Sequence, residues 1–146
     1  MCILNGEDIL RVQKVHVGVC GTLYRDVLRL FHEIKRAVRI SKAYGAVESI
    51  GVDTWGVDFG LLDKDGFLLE NPVHYRDART AGTLEQAFQN LPREEFYQIT
   101  GNQIMEINTA VQLLALQTQR PQLLAHAATL LLMPDLFNYL VPRDQR

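Results

Sequence analysis

The sequence predicts an α/β layered fold built on a mixed sheet with flanking helices. Three observations point there. Short runs rich in Val, Ile and Leu interleave with amphipathic stretches along the chain. The turn Asp63-Lys64-Asp65-Gly66 joins two strand-like runs near the middle. Beyond Thr80 the pattern becomes helical, with Pro92 placed to open one of the helices.

Taken in order, Ile9 to Val19 reads as strand, since Val15, Val17 and Val19 alternate with His16 and Gly18. Gly18 and Gly21 break that pattern. Thr22 to Tyr44 reads as a helix, with Leu23, Val27, Leu30, Phe31, Ile34 and Val38 at three- and four-residue steps. Thr22 is the expected N-cap and Gly45 the stop. Asp26 near its start and Lys42 near its end suit the helix dipole. The basic residues Arg25, Arg29, Lys35, Arg36, Arg39 and Lys42 all fall on this helix and read as its solvated outer face. Val47 to Asp53 is expected to be a short strand, Val57 to Leu62 and Phe67 to Leu69 two more. Thr83 to Asn90, Pro92 to Ile99, Asn108 to Gln119 and Pro121 to Ala127 are expected helices. Thr129 to Met133 is a compact apolar run, read as buried, and Pro134 to Leu140 a last helix.

The length and composition allow one soluble globular domain: 146 residues, 47% hydrophobic, 22% charged. A net charge of -2 gives no footing for nucleic acid or an acidic membrane. Cys2 and Cys20 alone do not make a disulfide framework, so a cytoplasmic setting is expected. No apolar run reaches membrane-spanning length, and the first residues make a poor signal peptide.

The chemically dense stretch is Asp53-Thr54-Trp55-Gly56-Val57-Asp58, directly after a predicted strand. Carboxylates accept from sugar hydroxyls, an indole packs on a sugar's C–H face, and glycine admits close backbone approach. The same residues equally suit a turn whose aspartates cap local N–H groups. Tyr75-Arg76-Asp77-Ala78-Arg79-Thr80 is a second polar cluster; Arg76 and Arg79 either pair with Asp77 and Asp58 or face an anion. His74 lies near the candidate sugar-binding face as a hydrogen-bond donor. Asp58-Phe59-Gly60 spells a protein-kinase triplet, but the companion motifs of those enzymes are missing and the match is coincidental. Asp63-Lys64-Asp65-Gly66 lacks the further ligands of a calcium loop and reads as a turn. His16, His32, His74 and His126 show no metal-ligand spacing, and no metal site is expected.

The run from Ser49 to Thr80, SIGVDTWGVDFGLLDKDGFLLENPVHYRDART, resembles the rhamnulokinase group of the FGGY-type carbohydrate kinases. Phe96 to Ile104, Ile107-Asn108-Thr109, Leu113 to Leu116 and the Leu130 to Leu140 run LLLMPDLFNYL are similar as well. The resemblance implies an actin-like, ribonuclease-H-like ATPase fold, with two such domains flanking a cleft. It implies transfer of the γ-phosphoryl of Mg2+-bound ATP to the 1-hydroxyl of L-rhamnulose. It also implies that Gly56 lies against the sugar, with Trp55 and Asp58 in the same loop, Tyr75 along the substrate and Asn108 a further contact. Residues 1–146 then correspond to part of the N-terminal domain. The phosphate-binding hairpin of the family, its catalytic aspartate and its C-terminal domain are expected outside this chain, so no catalytic base is assigned within it. ATP and Mg2+ belong to the parent enzyme and are not expected to bind this stretch tightly. Its expected partners are the sugar and the remainder of the kinase, with no nucleic acid and no membrane. Arg25 stands where relatives have Trp, and the segment from His16 to Gly21 is short against theirs. The isolated chain is expected to be inactive. Alternatives are a related kinase for L-fuculose or D-xylulose, or a non-catalytic binding remnant.

Overall fold

A computed structural model describes residues 4–5, 8–9 and 16–143. Its strands are β1 (Leu4–Asn5), β2 (Asp8–Ile9), β3 (His16–Val19), β4 (Thr22–Arg25), β5 (Phe59–Leu62) and β6 (Thr129–Leu132). Its helices are α1 (Val27–Ser41), α2 (Thr83–Asn90), α3 (Arg93–Thr100), α4 (Thr109–Gln119), α5 (Pro121–His126) and α6 (Met133–Arg143). Helices and strands interleave as an α/β fold requires. The described strands pair as three antiparallel ribbons, β1 with β2, β3 with β4 and β5 with β6.

The core is organised by β5. All four of its residues are buried, as in a strand covered on both faces. Leu62 packs with Val27 of α1 and with Met133, Leu136 and Phe137 of α6. Phe59 and Leu61 point the other way, toward Leu116 and Leu113 of α4 and Leu123 and Leu124 of α5. The two-residue side-chain period of the strand thus divides the interior into two layers. Gly60 lies under α6: a Cβ there would meet Leu136 Cδ2 at 2.9 Å and Leu68 Cδ1 at 3.0 Å. Past β5, the chain folds back through the expected turn. Asp63 Oδ1 accepts from the N–H groups of Asp65 (2.9 Å) and Phe67 (2.8 Å), and Leu69 N–H donates to Leu61 O.

Several expectations are corrected. Phe67 to Leu69 is not a strand, because only the isolated bridge of Leu68 with Leu62 pairs it to β5. Thr22 is not a helix cap. Thr22–Arg25 is a strand, because Cys20 and Gly21, with φ of 50° and 81°, make a two-residue turn that returns the chain onto β3. The other edge of β4 is taken by the 72–74 segment: Arg25 N–H donates to Pro72 O and His74 N–H to Leu23 O, both at 2.8 Å. Pairing on two sides outweighs an apolar period that would also suit a helix. The cap of α1 is Asp26, whose Oδ1 accepts from Arg29 N–H at 3.0 Å. Arg25 therefore leaves the basic helical face and is buried, whereas Arg29 and Arg36 remain exposed and pair with Glu33.

Val47 to Asp53 is not a strand. It runs without regular structure, and Val47 and Ile50 are exposed. A strand exists only through its ladder, and no backbone pairing partner lies alongside this stretch among the described residues. The apolar run at 129–132 is a strand, yet Leu130 and Leu132 are exposed, because among the described residues β6 pairs with β5 alone. The expected strand from Ile9 falls partly outside the described residues, with β2 and β3 at its two ends. The four helices expected between Thr83 and Ala127 form within a residue of their boundaries.

Candidate functional site

The Trp55–Asp58 loop turns on one residue. Val57 has φ of 70°, and across it Asp58 N–H donates to Gly56 O at 3.0 Å. This is a γ-turn of the rare, strained hand, here centred on a β-branched residue. Such a conformation costs on the order of 1–3 kcal/mol and persists only where the surroundings over-determine it. Here they do. Val57 O accepts from Thr109 Oγ1 at 3.0 Å and from Gln112 Nε2 at 3.1 Å, both on α4. Gln112 is fully buried and also donates to Ile107 O at 2.9 Å, while its Oε1 accepts from Arg79 Nη2 at 2.7 Å. The turn lets β5 begin at Phe59 and leaves Gly56 exposed, with no atom within 4 Å of where a Cβ would stand.

Asp58 points inward. It is fully buried, and its Oδ2 accepts from Arg25 Nε at 2.8 Å and Trp55 Nε1 at 2.6 Å. Its Oδ1 has no partner. The Arg25 guanidinium lies 4.2 Å from the Trp55 ring centroid and 5.3 Å from that of Tyr75. Tyr75 in turn packs against His74, whose Nδ1 accepts from Arg76 N–H at 3.0 Å. Asp77 binds backbone, with Oδ2 accepting from Leu23 N–H at 2.7 Å and Oδ1 from Arg79 N–H at 2.9 Å. The possible pairing of Arg76 or Arg79 with these aspartates is thus replaced: Arg25 takes Asp58, and Gln112 takes Arg79. Burial pushes the Arg79 guanidinium below its ordinary pKa, against the opposing charges of Asp77, Glu70 and Asp58.

On another side of the loop lies a groove of about 320 Å³ lined by Val57, Phe96, Asn102, Gln103, Asn108 and Thr109, with Thr100 and Ala110 beside them. None of these residues is charged. Asn108, N-cap of α4, uses its Oδ1 to accept from Met105 N–H at 2.6 Å. That leaves its amide N–H groups as donors.

Of the residues singled out from the sequence, Trp55, Asp58 and Tyr75 come together around Arg25. Asn108 shares the groove with Val57, and Gly56 stands open between its neighbours. Sequence reasoning missed Arg25, Val57 and Gln112. Gln112 did carry a signal, as a polar residue between Val111 and Ala115 on the apolar side of a helix. Val57 carried none, because nothing in its side chain announces a positive φ. Among the described residues no three His, Cys, Asp or Glu side chains converge as a metal centre needs. No described helix is long and apolar enough to cross a membrane.

Residues 18–142 match the model of the FGGY family of carbohydrate kinases, N-terminal domain. The chain is 51% identical over 137 residues to a rhamnulokinase of Yersinia pestis bv. Antiqua (strain Angola), covering 93% of this chain and 28% of that protein. It is 40% identical over 139 residues to a rhamnulokinase of Bacteroides thetaiotaomicron, covering 94% of this chain and 29% of that one. It therefore spans less than a third of the length of these curated relatives. Among solved structures, a carbohydrate kinase from Novosphingobium aromaticivorans superposes with a TM-score of 0.75 at 17% identity, over 94% of this chain and 30% of that one. A ligand-bound xylulose kinase from Lactobacillus acidophilus gives 0.73 at 15%, over 84% and 26%. The shared architecture is the actin-like, ribonuclease-H-like fold expected from the sequence.

Proposed function

Because this chain belongs to the FGGY family of carbohydrate kinases, we propose that it is the sugar-facing part of a rhamnulokinase-type enzyme. The reaction is transfer of the γ-phosphoryl of ATP to the 1-hydroxyl of L-rhamnulose in the cytoplasm. The observation that carries the reading is the uncharged groove beside the Val57 turn. Its volume suits a small molecule, and amide and hydroxyl side chains without charge suit a neutral polyol better than a phosphate. Asn108 lines this groove and offers amide donors; Gly56, Trp55 and Tyr75 lie outside its lining, and their proposed part is to present open backbone and aromatic faces at the loop's other side. Asp58, fully buried, acts from beneath by holding Trp55 and Arg25 in place.

This chain's share of the work is binding and orientation. A rigid seat that presents one hydroxyl in line supplies much of what phosphoryl transfer needs from a protein. In the whole enzyme, ATP with Mg2+ supplies the phosphoryl group and neutralises its charge. The described residues do not fit that group: no acidic cluster converges, and the one fully buried carboxylate of the loop is committed to Arg25 and Trp55. No step through nucleotide or metal is assigned to them, and no aspartate here is assigned as base. Residues 1–146 are read as part of the N-terminal domain, with the remaining machinery supplied by the rest of a kinase.

A chimera tests the assignment. Residues 18–142 replace the matching segment of the Yersinia pestis relative, and coupled ATP consumption is followed with L-rhamnulose, L-fuculose and D-xylulose. The expected result is turnover highest with L-rhamnulose. A folded chimera that prefers another ketose moves the assignment to that sugar. One that binds none of the three overturns the sugar seat in favour of a non-catalytic role.

A further inference from the structure

We propose that Arg25 is a positioning residue for this seat, holding the aromatic faces and the Val57 turn in register; this rests on the sugar-kinase reading. Its side chain and backbone join three segments. Its backbone N–H is tied to Pro72 O at 2.8 Å, its Nε to Asp58 Oδ2 at 2.8 Å, and its guanidinium contacts the rings of Trp55 at 4.2 Å and Tyr75 at 5.3 Å. The β3–β4 hairpin thus reaches the Trp55–Asp58 loop and the Tyr75 turn through one side chain that is only 3% exposed.

The chemistry favours a guanidinium at this point. It is planar, so it can lie against aromatic faces while donating in its own plane to a carboxylate. The buried Asp58 neutralises it, so the pair adds no net charge beside the loop that borders the groove. Trp55 is fixed twice, by its ring against Arg25 and by its Nε1 donating to the same Asp58 oxygen at 2.6 Å. A lysine would keep the charge opposite Asp58 but lose the planar contact. The role as spacer between rings therefore separates from the role as counter-ion.

Trp55 is the only tryptophan in the chain, so its fluorescence reads this site alone. Arg25→Ala and Arg25→Lys are compared with the unmodified chain in two measurements: acrylamide quenching of Trp55 without ligand, and L-rhamnulose affinity by calorimetry. Urea midpoints monitor the fold. Both variants are expected to expose Trp55 to the quencher and to weaken L-rhamnulose binding about tenfold or more, since small misplacements of a positioned group have large effects. Wild-type quenching and affinity in Arg25→Lys overturn the proposal, because charge neutralisation of Asp58 would then suffice. If Arg25→Ala does not fold, Arg25→Lys decides alone. If the unmodified chain binds no L-rhamnulose, the sugar seat itself falls, and the quenching measurement still decides whether Arg25 positions Trp55.

Discussion

Gln112→Leu is the most informative perturbation of the described residues. Leucine nearly conserves volume, so the change tests hydrogen bonding rather than a cavity. It removes the donor to Val57 O at 3.1 Å, the donor to Ile107 O at 2.9 Å and the acceptor for Arg79 Nη2 at 2.7 Å. Each neutral bond contributes about 1 kcal/mol and the charge-assisted one about 2, for a total loss near 4 kcal/mol. That is a large fraction of the roughly 5–15 kcal/mol that holds a domain folded. The largest share comes from Arg79, mostly buried and with its Nε already without a partner. With a urea slope of about 2 kcal/mol per M, the midpoint should fall by about 2 M in far-UV circular dichroism. Adding Arg79→Met removes the stranded guanidinium, and the double variant should recover about half of the loss, because that is the charged bond's share. A midpoint shift below about 0.5 M for Gln112→Leu, or no recovery in the double variant, would refute the account of the turn as held by this network.

Asp58→Asn leaves the buried Arg25 without its counter-charge, and about 3–5 kcal/mol of stability should be lost; urea unfolding measures it, with a change in Trp55 emission as the local sign. Asp26→Ala removes the cap of α1 and should cost about 1 kcal/mol by the same method. Glu70→Gln breaks the 2.6 Å contact to Arg120, whose side chain is 42% exposed, and solvent screening limits the loss to about 1 kcal/mol or less. The hydrogen bond from Arg120 to Glu70 raises the arginine's pKa, so its stabilisation is complete below the unfolded value and is lost only in strong alkali. The buried Arg79 has the opposite sign: its cost holds at every pH below its lowered folded value and is relieved above it. Neither arginine should make stability vary between about pH 6 and 9, and a sloping urea midpoint there would have to come from other groups. The chain alone, assayed with Mg2+, ATP and L-rhamnulose, should consume no ATP above a no-protein control.

The sequence by itself determined the class of fold, the helices from Thr83 onward, the Asp63–Gly66 turn and the family, because those rest on local pattern: apolar spacing, prolines at helix starts, and an Asp that caps its own turn. It also named the loop at Trp55–Asp58 as the place of interest. Only the tertiary structure decided that Thr22–Arg25 pairs as a strand on two sides, that Val47–Asp53 stays unpaired, and that Asp58 faces inward to Arg25 rather than outward. The physical reason is common to all three. A ladder, a buried ion pair and a strained turn each depend on groups far apart in the chain, as Arg25 and Asp58 are, or Val57 and Gln112. No local propensity records which distant partner will satisfy a backbone carbonyl or neutralise a buried charge.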